Sequence, residues 1–168
     1  PARLRYEGAI YAKLFGDVPD EVTAFLETDL PKIYVALTSG ESRVLDQVYE
    51  AVKGLKARVV IFNMMVADHL PYHKVMPLMD LAIIHGGQGS VQTAIEAGTP
   101  IIGIPLHVEQ GLNVSIIEKH GAGIMQIKHD INSTEIRVKI ERILGQRSFK
   151  TNMERLSKLQ RQVDGVKK

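Results

Sequence analysis

The sequence predicts an α/β domain built on a parallel sheet with helices on both faces. Three observations predict it. Short runs rich in aliphatic and β-branched residues recur along the chain, as in Lys32 to Leu37, Leu81 to Ile84 and Ile101 to Ile104. Between them lie segments whose apolar residues follow the helical period, and hydrophobic strands alternating with amphipathic helices make a parallel sheet covered on both sides. The third observation is a glycine cluster, His85-Gly86-Gly87-Gln88-Gly89-Ser90, placed where one strand run passes into a helical one.

Each element can be justified in order. Val18 to Leu26 has acidic residues at the start and apolar ones at helical spacing, which makes a leading helix at one edge of the domain. Lys32 to Leu37 is the first strand, and Thr38-Ser39-Gly40 its βα turn. From Ser42 to Leu55, the residues Val44, Leu45, Val48, Tyr49, Val52 and Leu55 fall on one helix face. Ala57 to Phe62 is a second strand, completing a βαβ unit whose crossover is right-handed by rule. Val75, Met76, Leu78 and Met79 read as a short core helix. Leu81 to Ile84 then runs through the glycine cluster into the helix Val91 to Ala97, stopped by Gly98. Ile101 to Ile104 is a strand closed by Pro105. The next helix begins at Glu109 and ends at Gly121-Ala122-Gly123, and Ile124 to Ile127 is the last strand. Asn132-Ser133-Thr134-Glu135 has the form of a capping box for a helix through Leu144.

Composition limits what such a domain can do. With 168 residues and 45% hydrophobic content the chain is one ordinary domain, and a chain of this size buries about 70% of its unfolded surface. A net charge of +2 and a pI near 8.9 fall short of the concentrated basic face of a nucleic-acid binder. Without cysteine there are neither disulfides nor thiolate metal sites. No apolar run reaches the roughly 18 residues of a membrane span. No Asp-x-Asp pair offers itself to a divalent cation, and no cofactor motif is expected.

The glycine cluster carries the chemistry. A helix start points unpaired N–H groups and about half a positive charge into the turn before it, and glycines let a ligand approach the backbone, so the natural guest is an anion. A tight connection without a ligand is the plain alternative. A Gly-x-Gly-x-x-Gly dinucleotide site is excluded, because Gln92 stands where the third glycine belongs. Glu109, Gln110 and Asn113 follow at the carboxyl end of the next strand, where open α/β sheets bind ligands and where polar side chains can meet sugar hydroxyls. Ser90 could cap the helix or bond a phosphate oxygen. His85 could donate to a diphosphate or be a packed histidine at a strand end. A carboxylate and an amide side by side suit two neighbouring hexose hydroxyls, and Glu109 could instead merely favour the helix dipole. Asn113 could hold the turn from within or touch the ligand.

Taken together, His85-Gly86-Gly87-x-Gly89-Ser90, Gly98-x-Pro100, Pro105, Glu109-Gln110, Asn113 and Gly121-x-Gly123 resemble the donor-binding signature of the UDP-glycosyltransferase family. The resemblance implies a Rossmann-like three-layer domain, the C-terminal half of a GT-B glycosyltransferase. Residues 1–30 would be the interdomain linker and leading helix, residues 31–145 the nucleotide-sugar domain. Residues 146–168 would form a helix crossing back to an N-terminal acceptor domain, leaving Phe149, Met153 and Leu156 as an exposed apolar stripe. This basic helix is the one place where membrane contact is conceivable, and the expected location is cytoplasmic.

By the same resemblance the donor diphosphate would lie on His85, Gly86, Gly87, Gly89, Ser90 and Ser39, with Ser39 equally readable as a helix cap. The nucleobase would lie at His69, Leu70 and Pro71, the ribose at Thr93, and the donor sugar at Glu109 and Gln110. Three positions depart from the family pattern. His69 stands where a larger ring stacks on the base, Thr93 where many members have Glu, and Glu109 where Asp is usual. Glu96 lies about 60° from Thr93 around the helix and could replace it only in part. The implied function is transfer of a hexose from UDP or dTDP to an acceptor hydroxyl, inverting and without metal, with no catalytic residue in this chain. The alternatives are an epimerase or cell-wall GlcNAc transferase of the same fold, or a non-catalytic activator subunit.

Overall fold

Side chains alternate across a strand, and in this chain both sides of that alternation are buried. The computed structural model describes residues 16–37, 42–62 and 70–162. Ile33 and Val35 of β1 (Lys32–Ala36) join Leu81 and Ile83 of β3 (Leu81–Ile84) on one face of the sheet. There they meet α2 (Ser42–Val52) through Val44 and Val48, and α6 (Ser133–Gly145) through Ile136 and Ile140. Tyr34, Ala82 and Ile84 point the other way, towards Val91 and Ala94 of α4 (Gln88–Ala97), Ile117 of α5 (Val108–Lys119) and Met153 of α7 (Arg147–Gln162). The result is the helix–sheet–helix sandwich that the hydrophobic strands require.

The sheet is parallel throughout. With β2 (Arg58–Phe62), β4 (Ile101–Gly103) and β5 (Gly123–Met125), its order is β2-β1-β3-β4-β5. The chain leaves β1 for β2 on one side and returns to β3 on the other. The order therefore reverses between β1 and β3, and such a switch point opens a crevice at the carboxyl ends of the strands. His85 follows directly on β3 at that crevice.

The remaining elements close the edges. α1 (Asp20–Leu26) carries Asp20 and Glu21 in its first turn and buries Leu26, and the Arg58 guanidinium lies 4.8 Å from the centre of the Phe25 ring. α3 (Tyr72–Val75) continues into a 3₁₀ turn, Met76–Leu78. Val75, Met76 and Met79 are buried as expected, but Leu78 is exposed. At the start of α6, Asn132 accepts from the Glu135 amide at 2.9 Å, the cap read from the sequence.

Three expectations need correction. The second helix ends at Val52 instead of Leu55, because the chain turns off at Gly54, φ +74°, and Tyr49, placed on its apolar face, is 52% exposed. The last strand is Gly123–Met125 and excludes Ile127, whose side chain is exposed. Phe149 and Met153 are not an exposed stripe: both are buried because α7 lies on this same domain, Phe149 in the core with Ile140 and Ile143 of α6 and Met153 in the core with Val91 and Ala94 of α4. Polar side chains hold it there. Ser157 Oγ and Arg161 donate to the Glu96 carbonyl at 3.0 and 3.2 Å, and Asn152 donates to the Gly121 carbonyl at 3.0 Å. These carbonyls sit at helix ends, where backbone acceptors have no partner within the helix.

Candidate functional site

The bend after β3 owes its shape to what its glycines allow. Gly86 has φ +88°, a conformation costly for any residue with a Cβ. A Cβ there would also run into Val114 Cγ2 and lie 3.1 Å from the Gln110 carbonyl. Gly103 at the end of β4 faces Val114 in the same way. Val114 thus fills a crevice that two glycines open, and α5 is drawn against the bend. On the other side, a Cβ on Gly87 would meet His85 Nε2 at 2.8 Å, so the imidazole lies over the bend. Its Nδ1 is buried and has no hydrogen-bond partner among the described residues. A buried polar atom without a partner is costly.

The helix that follows starts bare. Gly87 occupies the cap position of α4, no side chain caps the first turn, and no acidic residue stands in it. The first helical bond is donated by Val91 to the Gly87 carbonyl at 3.0 Å. The amides of Gln88, Gly89 and Ser90 therefore have no acceptor among the described residues, and the helix dipole favours a negative one. Nothing within 4 Å would meet a Cβ on Gly89, so the space beside these amides is open. Ser90 is half-buried in the first turn and does not cap the helix, which resolves one of its two readings.

α5 brings the other polar residues to the bend. Asn113 Nδ2 donates to the Gly86 carbonyl at 3.1 Å and to Glu109 Oε1 at 2.6 Å. The carboxylate of Glu109, itself exposed, is thereby tied to the glycine bend through one amide. Gln110 is oriented differently: its Oε1 accepts from the Leu106 amide at 2.8 Å and closes the loop before α5. That orients the side-chain amide and leaves its NH₂ for a ligand. Asn113 holds the bend from within.

Thr93 is 1% exposed and donates its hydroxyl proton to the Gly89 carbonyl at 2.9 Å, which leaves it no donor for a ribose. It shares with Glu96, His73 and Pro77 the lining of a recess of about 270 Å³. Leu70 and Pro71 are buried at the start of α3. Thr38, Ser39, Gly40 and His69 lie outside the described residues. Among the described residues no group of three His, Asp or Glu side chains could hold a metal ion. The link between Asn113 and Glu109 was missed in the sequence, although their spacing of four residues on a helix is one at which side chains meet.

With this geometry in view, comparison with known proteins identifies the fold's relatives. Residues 47–161 match the family described as erythromycin biosynthesis protein CIII-like, C-terminal domain. The chain belongs to that family. Among curated proteins it is 29% identical over 145 residues to a PGL/p-HBAD biosynthesis glycosyltransferase of Mycobacterium tuberculosis, covering 79% of this chain and 34% of the relative. Proteins named UDP-glycosyltransferase and UDP-glucuronosyltransferase are relatives too, so the resemblance read from the motif holds. Of solved structures, spinosyn rhamnosyltransferase SpnG superposes with a TM-score of 0.79 at 18% identity, covering 92% of this chain and 47% of that one. Glycosyltransferase VinC, solved in complex with dTDP, gives 0.76 at 22%, covering 89% and 42%. The fold is that of the C-terminal domain of GT-B glycosyltransferases, as expected. The chain spans about a third to a half of the length of these relatives.

Proposed function

We propose that this chain is the donor-binding domain of a glycosyltransferase and holds a UDP- or dTDP-hexose across the crevice between β3 and α5. The observation that carries this reading is the bend from Ile84 to Val91. An uncapped helix start stands there with the His85 ring over the bend, its buried Nδ1 without a partner among the described residues, and Glu109 is tethered to the same bend through Asn113. The diphosphate accepts from the amides of Gln88, Gly89 and Ser90, from the Ser90 hydroxyl and from the His85 ring. Hydrogen bonds to a charged group contribute about 1.5–3 kcal/mol each. Fixed donors of this kind stabilise a diphosphate as it leaves, because its charge grows in the transition state. Glu109 accepts from one sugar hydroxyl and the Gln110 NH₂ donates to another. Thr93 has no part in the contact. The nucleobase lies towards Leu70 and Pro71.

In this reading the transfer inverts the anomeric centre and uses no metal, and the catalytic base comes from outside this chain. The chain alone binds the donor without turnover. Calorimetric titration with UDP, UDP-glucose, dTDP and dTDP-glucose tests it. At least one of these binds with a Kd below about 1 mM, equivalent to about 4 kcal/mol. The absence of heat from all of them at that concentration overturns the assignment.

A further inference from the structure

We propose that Asn113 is a positioning residue for the donor sugar, acting through Glu109. The inference rests on the donor-binding reading of the site and adds to it a residue that does not itself touch the ligand. A primary amide nitrogen carries two protons, and the two acceptors of Asn113 Nδ2 are the Gly86 carbonyl at 3.1 Å and Glu109 Oε1 at 2.6 Å. One side chain therefore bridges the phosphate side of the crevice and the carboxylate on its sugar side.

Asn113 is well placed to be a fixed point. Its neighbour Val114 is fully buried in the crevice opened by Gly86 and Gly103, so this part of α5 cannot drift from the bend. Glu109 has no such packing. It is exposed in the first turn of α5, and a free glutamate there would have to give up rotamer freedom on meeting a sugar. The bond from Asn113 removes that freedom beforehand, leaves Oε2 to accept from a hydroxyl, and compensates for the extra methylene that Glu109 has over an aspartate. The affinity that the sugar adds to that of the bare nucleotide depends on Asn113 for this reason, whereas its bond to the Gly86 carbonyl bears on both ligands alike.

Calorimetry on the whole chain separates the two. Wild type, Asn113→Ala, Glu109→Gln and the double variant are each titrated with UDP and UDP-glucose, and with dTDP and dTDP-glucose. Each single substitution is expected to cut the gain in affinity from nucleotide to sugar nucleotide about tenfold, the lower bound for one bond to a charged group, while any loss in Asn113→Ala through the Gly86 carbonyl falls on both ligands alike. The gain in affinity that the sugar adds is expected to be no smaller in the double variant than in the singles, because Asn113 reaches the sugar only through Glu109. Asn113→Ser, too short to reach the carboxylate, gives the same pattern and replaces the alanine variant if that fails to fold. Equal loss for nucleotide and sugar nucleotide, losses of that gain that multiply in the double variant, or unchanged affinity for the sugar nucleotide each overturn the proposal alone. Wild-type protein that binds none of the four compounds removes the donor-binding reading and this proposal with it.

Discussion

Replacing Gly86 by alanine asks the bend to accept one methyl group, and the structure says what that costs. The residue sits at φ +88°, where a Cβ strains the backbone by about 1–3 kcal/mol. The methyl would also strike Val114 Cγ2 and stand 3.1 Å from the Gln110 carbonyl, an overpacking worth about 1–3 kcal/mol. The sum is about 2–6 kcal/mol, a large part of the stability of a domain. Gly103→Ala separates the two causes. Its Cβ would meet Val114 Cγ1 at 2.5 Å and Val114 Cβ at 3.0 Å, but Gly103 is not among the glycines with positive φ, so it carries only the packing cost. In a Val114→Ala background the Gly103 penalty should fall, since the Cγ contacts go and only the Cβ contact at 3.0 Å stays, while Gly86→Ala retains its backbone strain of about 1–3 kcal/mol. Urea unfolding followed by circular dichroism measures all six proteins. Gly86→Ala within about 0.5 kcal/mol of wild type, or a Gly103 penalty untouched by Val114→Ala, would refute the reasoning.

Other substitutions test other parts of the account. Gly89→Ala meets nothing within 4 Å and lies in the first turn of α4. It should leave stability unchanged or raise it by up to about 1 kcal/mol, while weakening UDP or dTDP binding in calorimetry through the methyl placed beside the free amides. Asn132→Ala removes the cap of α6 and should cost about 1 kcal/mol in urea unfolding without changing nucleotide affinity. Burial pushes the Tyr34 phenol well above its ordinary value of 10.0, with Tyr72 nearby adding to the shift. A raised folded-state value means that the folded protein holds the proton more tightly, so stability is intact below pH 10 and falls above it. Urea unfolding between about pH 9 and pH 11 should show that loss in wild type and a smaller one in Tyr34→Phe.

The motif from Leu81 to Gly98 was legible because everything that shapes it is local: an apolar run, glycines at fixed offsets, then helical spacing closed by a glycine. The capping chemistry at Asn132 was legible for the same reason. The parallel sheet followed from the hydrophobic strands, although its strand order could not, since order depends on which strand each crossover reaches. What failed had two sources: a cover supplied from a distant part of the chain, and side-chain bonds to the backbone four residues away. Phe149 and Met153 form an apolar stripe by spacing alone, but spacing does not say what covers it. The answer lay in α6 for Phe149 and in α4 for Met153, where the Glu96 carbonyl receives Ser157 and Arg161. Thr93 was read from its place in a motif, yet its hydroxyl turned to the Gly89 carbonyl one turn back. Gln110 was read as half of a pair for two sugar hydroxyls, and its oxygen also accepts from the Leu106 amide.

The central claim is that an anionic diphosphate sits on the bare start of α4. An NMR titration of the ¹⁵N-labelled chain with UDP and dTDP reaches it most directly, by following the backbone amides one by one. The largest shifts are expected at Gln88, Gly89 and Ser90, with Glu109 and Gln110 responding further when the sugar nucleotide replaces the nucleotide. Saturable binding that leaves the amides of Gln88 to Ser90 unmoved would contradict the account.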